Sequence, residues 1–144
     1  VYVDRETSAG YVYPRQLLKE KGHNADTFFK EAVFAGKHDA AVLMVLNKKA
    51  AGGAAKDDVY FKLEKEDPRI KNEMKLLHLS AAKFPDRTIA VRKGFDTILT
   101  GKIKEALIHM DKDEEGGKIL KASDFDRYIP TEIKDFRNLE KMLR

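Results

Sequence analysis

The sequence predicts an α/β fold, with a mixed or parallel sheet flanked by helices and a helical C-terminal portion. Short apolar segments alternate with helix-like segments through about the first 90 residues, a pattern typical of layered α/β domains. The last third of the chain shows helical periodicity instead. With 144 residues, of which 42% are hydrophobic and 36% charged, the chain is long enough for one domain, or for one domain and part of a second.

The first predicted elements are a strand, a turn and a helix. Val1–Val3 is β-prone, and Asp4–Gly10 is a polar turn rich in small residues. Tyr11–Lys21 is predicted to be a helix because Gly22 provides a stop signal directly after it. A short helix is expected over Thr27–Lys30.

The next elements repeat the alternation of strand and helix. Ala32–Ala35 is a short buried-strand candidate closed by Gly36, and Lys37–Lys48 has the apolar spacing of a helix. Ala50–Ala55 contains two glycines and no large side chain, which indicates a strand that another backbone or a ligand approaches closely. A helix is expected from Asp57 to about Lys65. It should end there because Asp67-Pro68 follows, and a proline disfavours helical backbone at the residue before it.

The remaining elements lead from strands into helices. Met74–Leu79 and Thr88–Arg92 are strand-like, and Phe84–Asp86 between them is predicted to be a turn. Asp96–Met110 is the strongest helix, because its apolar side chains form one continuous face. Two more helices are expected, over Gly117–Ala122 and Glu132–Leu143.

Composition and charge exclude several classes of protein. The chain has no cysteine, so disulfides, thiolate nucleophiles and cysteine-ligated zinc are excluded. Its 28 basic and 24 acidic residues are spread along the sequence, and the net charge of +4 predicts a mixed-charge surface rather than a nucleic-acid partner. No apolar run approaches the roughly 20 residues of a membrane-spanning helix. The N-terminus shows no signal peptide, so we expect the chain to begin after one or within a longer protein.

The first candidate site is Thr7-Ser8-Ala9-Gly10, between the first strand candidate and the first helix. Backbone N–H groups at a helix start have no carbonyl partner within the helix, and the helix dipole favours a negative charge there. The two hydroxyls add donors, and the small side chains let an oxyanion approach the backbone. These residues suit an anion-binding cradle or an ordinary helix cap, and they lack the spacing of a Walker loop.

Two further strand-to-helix junctions carry polar groups, with His38 at one and Asp57 and Asp58 at the other. Ligands of open α/β sheets lie at the carboxyl edge of the strands, so His38 would donate to the same anion if the two helix starts converge at that edge. The two carboxylates suit a cationic ligand group, or equally the positive end of a helix dipole. The segment around His38 suits a surface helix cap as well.

Motifs for catalysis and for metal binding are missing. The sequence contains no GxSxG elbow and no HExxH motif. Asp111–Gly116 is similar to the first half of an EF-hand loop, but Ala122 stands at position twelve, where that loop needs glutamate. We therefore predict no enzymatic activity, no metal site and no cofactor. A small acid–base enzyme built on His38 with Asp57 or Asp58 remains an alternative.

Several segments in chain order resemble the periplasmic phosphate/phosphonate-binding proteins, the substrate-binding components of phosphonate ABC importers. Asp4–Pro14 is similar to the Ser/Thr-rich ligand loop of that family. Phe28–Glu31 followed by Gly36–Leu43 is similar to its next segment, and the resemblance extends to about Leu120. The later matching segments are Ala54–Asp58, Thr88–Lys93 and Lys102–Leu107.

The resemblance implies a type II periplasmic binding fold, in which two α/β lobes close over a ligand at a hinge. Residues 1–84 would form the second, ligand-binding lobe, and residues 85–144 the segment that returns to the other lobe plus the C-terminal helices. The family's first lobe would precede this sequence, which therefore looks like the C-terminal part of such a protein. Apolar surface left uncovered predicts self-association or domain swapping.

The resemblance also assigns residues to the ligand. Thr7 and Ser8 would hold the phosphonate oxygens with the assistance of His38. Asp58, with Asp57 one residue away, would contact the far end of the substrate.

Two positions depart from the family pattern. Ala9 stands where the family often has a third hydroxyl, so one donor to the anion is missing. Arg87 falls where a second acid is expected, with Asp86 one residue early. A substrate ammonium would meet a cation at Arg87, which favours a smaller or purely anionic oxyanion over an aminoalkyl phosphonate.

The implied function is capture of a phosphonate- or phosphate-like anion and its delivery to an ABC permease in the inner membrane. The protein would be periplasmic or lipid-anchored outside the cytoplasm. A second interpretation is the ligand-sensing periplasmic domain of a signalling receptor, because the same fold can precede an output domain.

Overall fold

The chain divides into two compact units, one formed by Val1–Lys83 with Asn138–Arg144 and the other by Phe84–Arg137. No helix in the described part of the chain is long and apolar enough to cross a membrane. The computed structural model describes residues 1–81, 87–123, 125–137 and 139–140.

The first unit begins with a short parallel alignment of two backbone segments. Tyr2 forms an isolated parallel bridge with Phe34. The Tyr2 N–H donates to the Val33 carbonyl at 2.9 Å, and the Tyr2 carbonyl accepts from the Ala35 N–H at 2.9 Å. Tyr2 is thus bonded to the two residues that flank Phe34, which is the hydrogen-bond pattern of parallel strands.

A third segment lies on the other side of the chain's first residue. The Val1 ammonium group donates to the Gly52 carbonyl at 2.6 Å, and the Val1 carbonyl accepts from the Ala54 N–H at 3.2 Å. A Cβ on Gly53 would stand 2.8 Å from Val1 Cγ1 and 3.1 Å from Val45 Cγ2. The strand predicted over Ala50–Ala55 is absent. The predicted close approach is present, because Val1 contacts this segment through both its backbone and its side chain.

The expected sheet is otherwise wrong, since the Tyr2–Phe34 bridge is the only β pairing among the described residues. Met74–Leu79 and Thr88–Arg92 form no strand, and Leu77 is 82% exposed. Aliphatic composition favours an extended backbone, but a strand also needs a neighbouring backbone to bond with. The predicted turn at Phe84–Asp86 lies outside the described residues.

The first unit is mainly helical. A π-helical turn, Ser8–Val12, runs directly into α1, and the chain leaves α1 at Gly22 with a φ of +81°. The expected short helix at Thr27–Lys30 is absent, because these residues form turns and bends. The α-helices of this unit are α1 (Tyr13–Glu20), α2 (His38–Leu46), α3 (Asp57–Glu66) and α4 (Pro68–Glu73).

A small apolar core joins α2, α3 and α4. Ile70 of α4 is completely buried against Val42 and Leu46 of α2. Leu63 of α3 packs against this cluster and is partly buried. The core thereby fixes the two helices whose first residues are His38 and Asp57.

Within its described residues, the second unit contains two α-helices and short 3₁₀ turns. The predicted long helix is present as α5, and the next helix begins three residues earlier than expected. Its elements are α5 (Thr97–Ile108), a 3₁₀ turn (Met110–Lys112), α6 (Glu114–Ala122) and a second 3₁₀ turn (Ile133–Phe136). The second turn occupies the start of the helix predicted over Glu132–Leu143, whose last residues lie outside the described part.

Candidate functional site

Three chain segments approach the candidate site from the same direction. Val1–Val3 runs parallel to residues 33–36 and is bonded on its other side to residues 52–54. Each segment then leads to a helix start: the Ser8–Val12 turn, α2 or α3. Because parallel segments end on one side, we infer that these three helix starts share one edge of the first unit.

The Ser8–Val12 turn presents donors at its beginning. The Thr7 carbonyl accepts from the N–H groups of both Tyr11 and Val12 at 3.1 Å. The N–H groups of Ser8 and Ala9 precede the first such bond, so no carbonyl of the helix lies behind them. Ser8 is exposed, and its hydroxyl stands at the positive end of a helical segment that continues to residue 20.

Thr7 differs from Ser8 in the direction of its hydroxyl. Thr7 Oγ1 donates to the Asp4 carbonyl at 2.7 Å, and the Thr7 N–H donates to the same oxygen at 3.1 Å. Thr7 has an extended backbone and ends the loop before the helical turn without capping it. Its side chain therefore closes the preceding turn.

Gly10 is the position where the loop needs glycine. A Cβ there would lie 2.5 Å from Val3 Cβ and 2.7 Å from Thr7 Oγ1. The Gly10 carbonyl accepts from the Val3 N–H at 3.1 Å, and Val3 is 2% exposed. The turn is thus pressed against the first backbone segment.

An aromatic cluster supports the turn from the other side. Tyr2 is 4% exposed, and its ring meets Tyr11 edge-to-face at 5.1 Å between centroids. Phe34 lies 5.7 Å from Tyr11 and 6.1 Å from Tyr2. Burial raises the pKa of the Tyr2 phenol above its ordinary value.

His38 connects the start of α2 to the start of α3. Its Nδ1 accepts a hydrogen bond from the Lys56 backbone N–H at 3.0 Å, and the imidazole is half-buried. A neutral imidazole that accepts at Nδ1 carries its proton on Nε2. The hydrogen bond from Lys56 therefore fixes which ring nitrogen of His38 carries the proton.

Asp57 and Asp58 form the first turn of α3, and both are exposed. Asp58 Oδ1 accepts from the Val59 N–H at 2.7 Å, and its other oxygen lies 3.8 Å from Lys56 Nζ. This placement agrees with both interpretations of the pair, the dipole-complementing one and the ligand-binding one. Their role stays a prediction.

Arg87 belongs to the second unit. Its guanidinium donates to the Ser123 carbonyl at 2.7 Å and lies 4.2 Å above the Phe125 ring. Its backbone is in the left-handed region, with a φ of +49°. These contacts give Arg87 a structural role within its own unit, and a role toward the ligand stays a prediction.

The EF-hand-like segment has a structural function. Asp113 Oδ2 accepts from the Gly116 N–H at 2.7 Å and so caps α6. Gly116 also leaves no room for a side chain, since a Cβ there would clash with the Met110 carbonyl. Among the described residues, no group of three or more histidine and acidic side chains could hold a metal ion.

Two backbone groups that orient side chains of the candidate site were not predicted from the sequence, the Asp4 carbonyl and the Lys56 N–H. Both are backbone groups, so residue type gives no direct signal for them. The available signal was position: Lys56 directly precedes a helix, where N–H groups seek partners outside the helix.

The comparisons with known proteins agree with this architecture. A family model described as ABC transporter, phosphonate, periplasmic substrate-binding protein matches residues 1–136. The probable ABC transporter phosphite binding protein PhnD1 of Prochlorococcus marinus (strain MIT 9301) is 24% identical over 143 residues, covering 96% of this chain and 48% of that protein. The structure of PhnD1 in complex with methylphosphonate superposes with a TM-score of 0.77 at 22% identity, covering 99% of this chain and 54% of that one. The chain thus spans about half the length of these two matches and has a periplasmic binding protein fold.

Proposed function

Because the chain belongs to the family of periplasmic substrate-binding proteins of phosphonate ABC transporters, we propose that it captures a phosphonate- or phosphate-like anion outside the cytoplasm. The captured anion would then pass to an ABC permease in the inner membrane. The proposal gives the chain a binding role without turnover. It draws on the substrate of the family and on the donors at the shared edge of the first unit.

One observation carries the proposal, the hydrogen bond from Lys56 N–H to His38 Nδ1. It fixes the imidazole beside two helix starts with Nε2 as the donor. Ser8 and the amides of the neighbouring turn supply further donors with the same polarity. A cluster of donors at helix starts favours a compact anion, and an ammonium group would be repelled there.

The roles of the other residues extend the proposal. Ser8 donates its hydroxyl to an oxyanion oxygen, and Ala9 contributes its backbone N–H without the hydroxyl that the family often has. Asp57 and Asp58 lie beside the far end of the ligand. The first unit would serve as the second lobe of a two-lobed protein, which closes by a hinge motion.

Self-association is a separate expectation for the isolated chain. Large apolar side chains are exposed in both units, with Leu77 82%, Ile98 72% and Ile133 90% exposed. Apolar surface of this kind favours burial against another protein surface. Light scattering that finds a monodisperse monomer would contradict this expectation.

The function is tested by isothermal titration calorimetry with methylphosphonate, phosphite, phosphate and methanesulfonate. We expect saturable binding of at least one phosphorus oxyanion, and a loss of about 1–3 kcal/mol of binding free energy in Ser8→Ala. Ser123→Ala in the second unit is the matched control and should bind as the wild type does. Unchanged affinity in Ser8→Ala, or no binding of any of the four anions, would contradict the proposal.

A further inference from the structure

We propose that the Thr7 hydroxyl accepts a hydrogen bond from the ligand, so that the site selects tetrahedral anions that carry an acidic P–OH proton. The inference rests on the proposed function, since it assumes that the Ser8–Val12 turn binds the anion. It goes further by naming the protonation state of the ligand. Thr7 becomes a specificity-determining residue instead of a further donor.

The direction of the Thr7 hydroxyl follows from its partner. Thr7 Oγ1 lies 2.7 Å from the Asp4 carbonyl oxygen, a normal distance for an O–H···O hydrogen bond. A carbonyl oxygen can only accept, and a hydroxyl has a single proton. The proton must therefore point at Asp4, and only the lone pairs of Oγ1 remain for a ligand.

The surroundings hold this hydroxyl in place. Threonine is stiff about χ1 because it is β-branched, and Oγ1 occupies the space beside Gly10, 2.7 Å from where a Cβ would be. The Asp4 carbonyl also accepts the Thr7 N–H at 3.1 Å, which closes the turn around the same oxygen. Turning the hydroxyl proton toward a ligand would cost the Asp4 carbonyl its shorter hydrogen bond.

Groups of the Ser8–Val12 turn and of the α2 start are the donors available to an anion at this edge. The Ser8 hydroxyl and the Ala9 N–H can donate, and the His38 imidazole carries its proton on Nε2 because its Nδ1 accepts from the Lys56 N–H. A fully deprotonated oxyanion would direct an oxygen lone pair at the lone pairs of Thr7. A singly protonated phosphonate avoids this repulsion by donating its P–OH. The ionisable side chains of the segments and helix starts at this edge are Asp4, Arg5, Glu6, Lys37, His38, Asp39, Lys56, Asp57 and Asp58.

Methylphosphonate and methanesulfonate give a matched pair of probes. Both are tetrahedral monoanions with one methyl group below the second pKa of the phosphonate, and only the phosphonate has a proton to donate. We expect the purified protein to bind methylphosphonate at least about tenfold more tightly, since a site that hydrogen-bonds a ligand OH discriminates against analogues that lack it. Thr7→Val, which keeps the branched shape, should reduce this preference to near unity. Thr7→Ser should retain it, and Ser8→Ala should weaken both ligands alike.

A second measurement does not depend on the folding of any variant. Above the second pKa of methylphosphonate, calorimetry in buffers of different ionisation enthalpy should report uptake of about one proton per ligand bound. Equal affinity for the two probes, an unchanged preference in Thr7→Val, or binding without proton uptake would overturn the inference while leaving the proposed function intact. Failure of methylphosphonate alone to bind would overturn the inference, and failure of methylphosphonate, phosphite and phosphate to bind would overturn the proposed function as well.

Discussion

Replacing Gly10 by alanine tests the packing that holds the ligand turn against the start of the chain. The added Cβ would lie 2.5 Å from Val3 Cβ, 2.6 Å from Val3 Cγ2 and 2.7 Å from Thr7 Oγ1. A rotamer change cannot relieve the contact with Val3 Cβ, because that atom is fixed to the backbone. The Val3 backbone is itself held by its N–H bond to Gly10 at 3.1 Å and by the Gly36 N–H at 2.9 Å.

The backbone must therefore move, and overpacking of this kind costs about 1–3 kcal/mol. Because no side-chain rotation can relieve the contact with Val3 Cβ, the loss for Gly10→Ala should lie in the upper part of that range. With a urea m-value of about 2 kcal/mol per M, a loss of about 2–3 kcal/mol lowers the unfolding midpoint by about 1–1.5 M. Urea unfolding followed by circular dichroism measures this shift.

Gly101→Ala is the matched control, because Gly101 lies inside α5 and a Cβ there meets nothing within 4 Å. Alanine is favoured over glycine in a helix interior by about 1 kcal/mol, so this variant should be more stable than the wild type. The same substitution thus changes stability in opposite directions at the two sites. A Gly10→Ala protein as stable as the wild type would refute the steric argument.

Three further predictions concern the core, a helix cap and an ion pair. Ile70→Ala should cost about 2–5 kcal/mol of unfolding free energy, because Ile70 is completely buried. Leu77→Ala, at an 82% exposed site, should change the unfolding free energy by less than about 0.5 kcal/mol. Similar losses in both variants would contradict the assigned core. Asp113→Ala removes the cap of α6 and should cost about 0.5–2 kcal/mol of stability. Amide exchange in the first turn of that helix should become faster, and unchanged exchange would count against the cap. Hydrogen bonds from the Arg69 side chain and N–H hold the pKa of Asp67 below its ordinary value. The carboxylate therefore stabilises the folded state at neutral pH and loses this effect as pH falls through the lowered pKa. An NMR titration should show the pKa of Asp67 returning toward normal in Arg69→Ala, and an equally low pKa in that variant would exclude the Arg69 side chain as the cause.

The helices were the predictable part of this fold because their signals are local. His38–Leu46 and Thr97–Ile108 lie within the ranges predicted from apolar spacing and end signals. Asp96 accepts from the Leu99 N–H at 2.7 Å, which fixes one helix start through a side chain visible in the sequence.

The sheet was not predictable in the same way, because pairing joins residues far apart in sequence. Tyr2 pairs with Phe34, and nothing local in either residue identifies the other. Met74–Leu79 has strand-like composition, yet the described residues supply no paired backbone for it. Composition alone therefore overestimated the sheet.

The candidate site was predictable at the level of helix starts and side-chain types. The order of segments placed His38 and Asp57 at one edge, and the bond from His38 to the residue before Asp57 joins these two helix starts. The direction of the Thr7 hydroxyl was beyond the sequence, because it depends on the position of the Asp4 carbonyl. Anion binding by these residues stays a prediction.

The hydrogen bond between His38 and position 56 has a consequence for how sequences of this family vary. Its donor is the Lys56 backbone N–H, which every amino acid except proline possesses. Position 56 can therefore change its side chain widely and still orient the same imidazole. Proline is the one residue that should be rejected there, so the trace of this contact in related sequences would be a missing residue type at position 56.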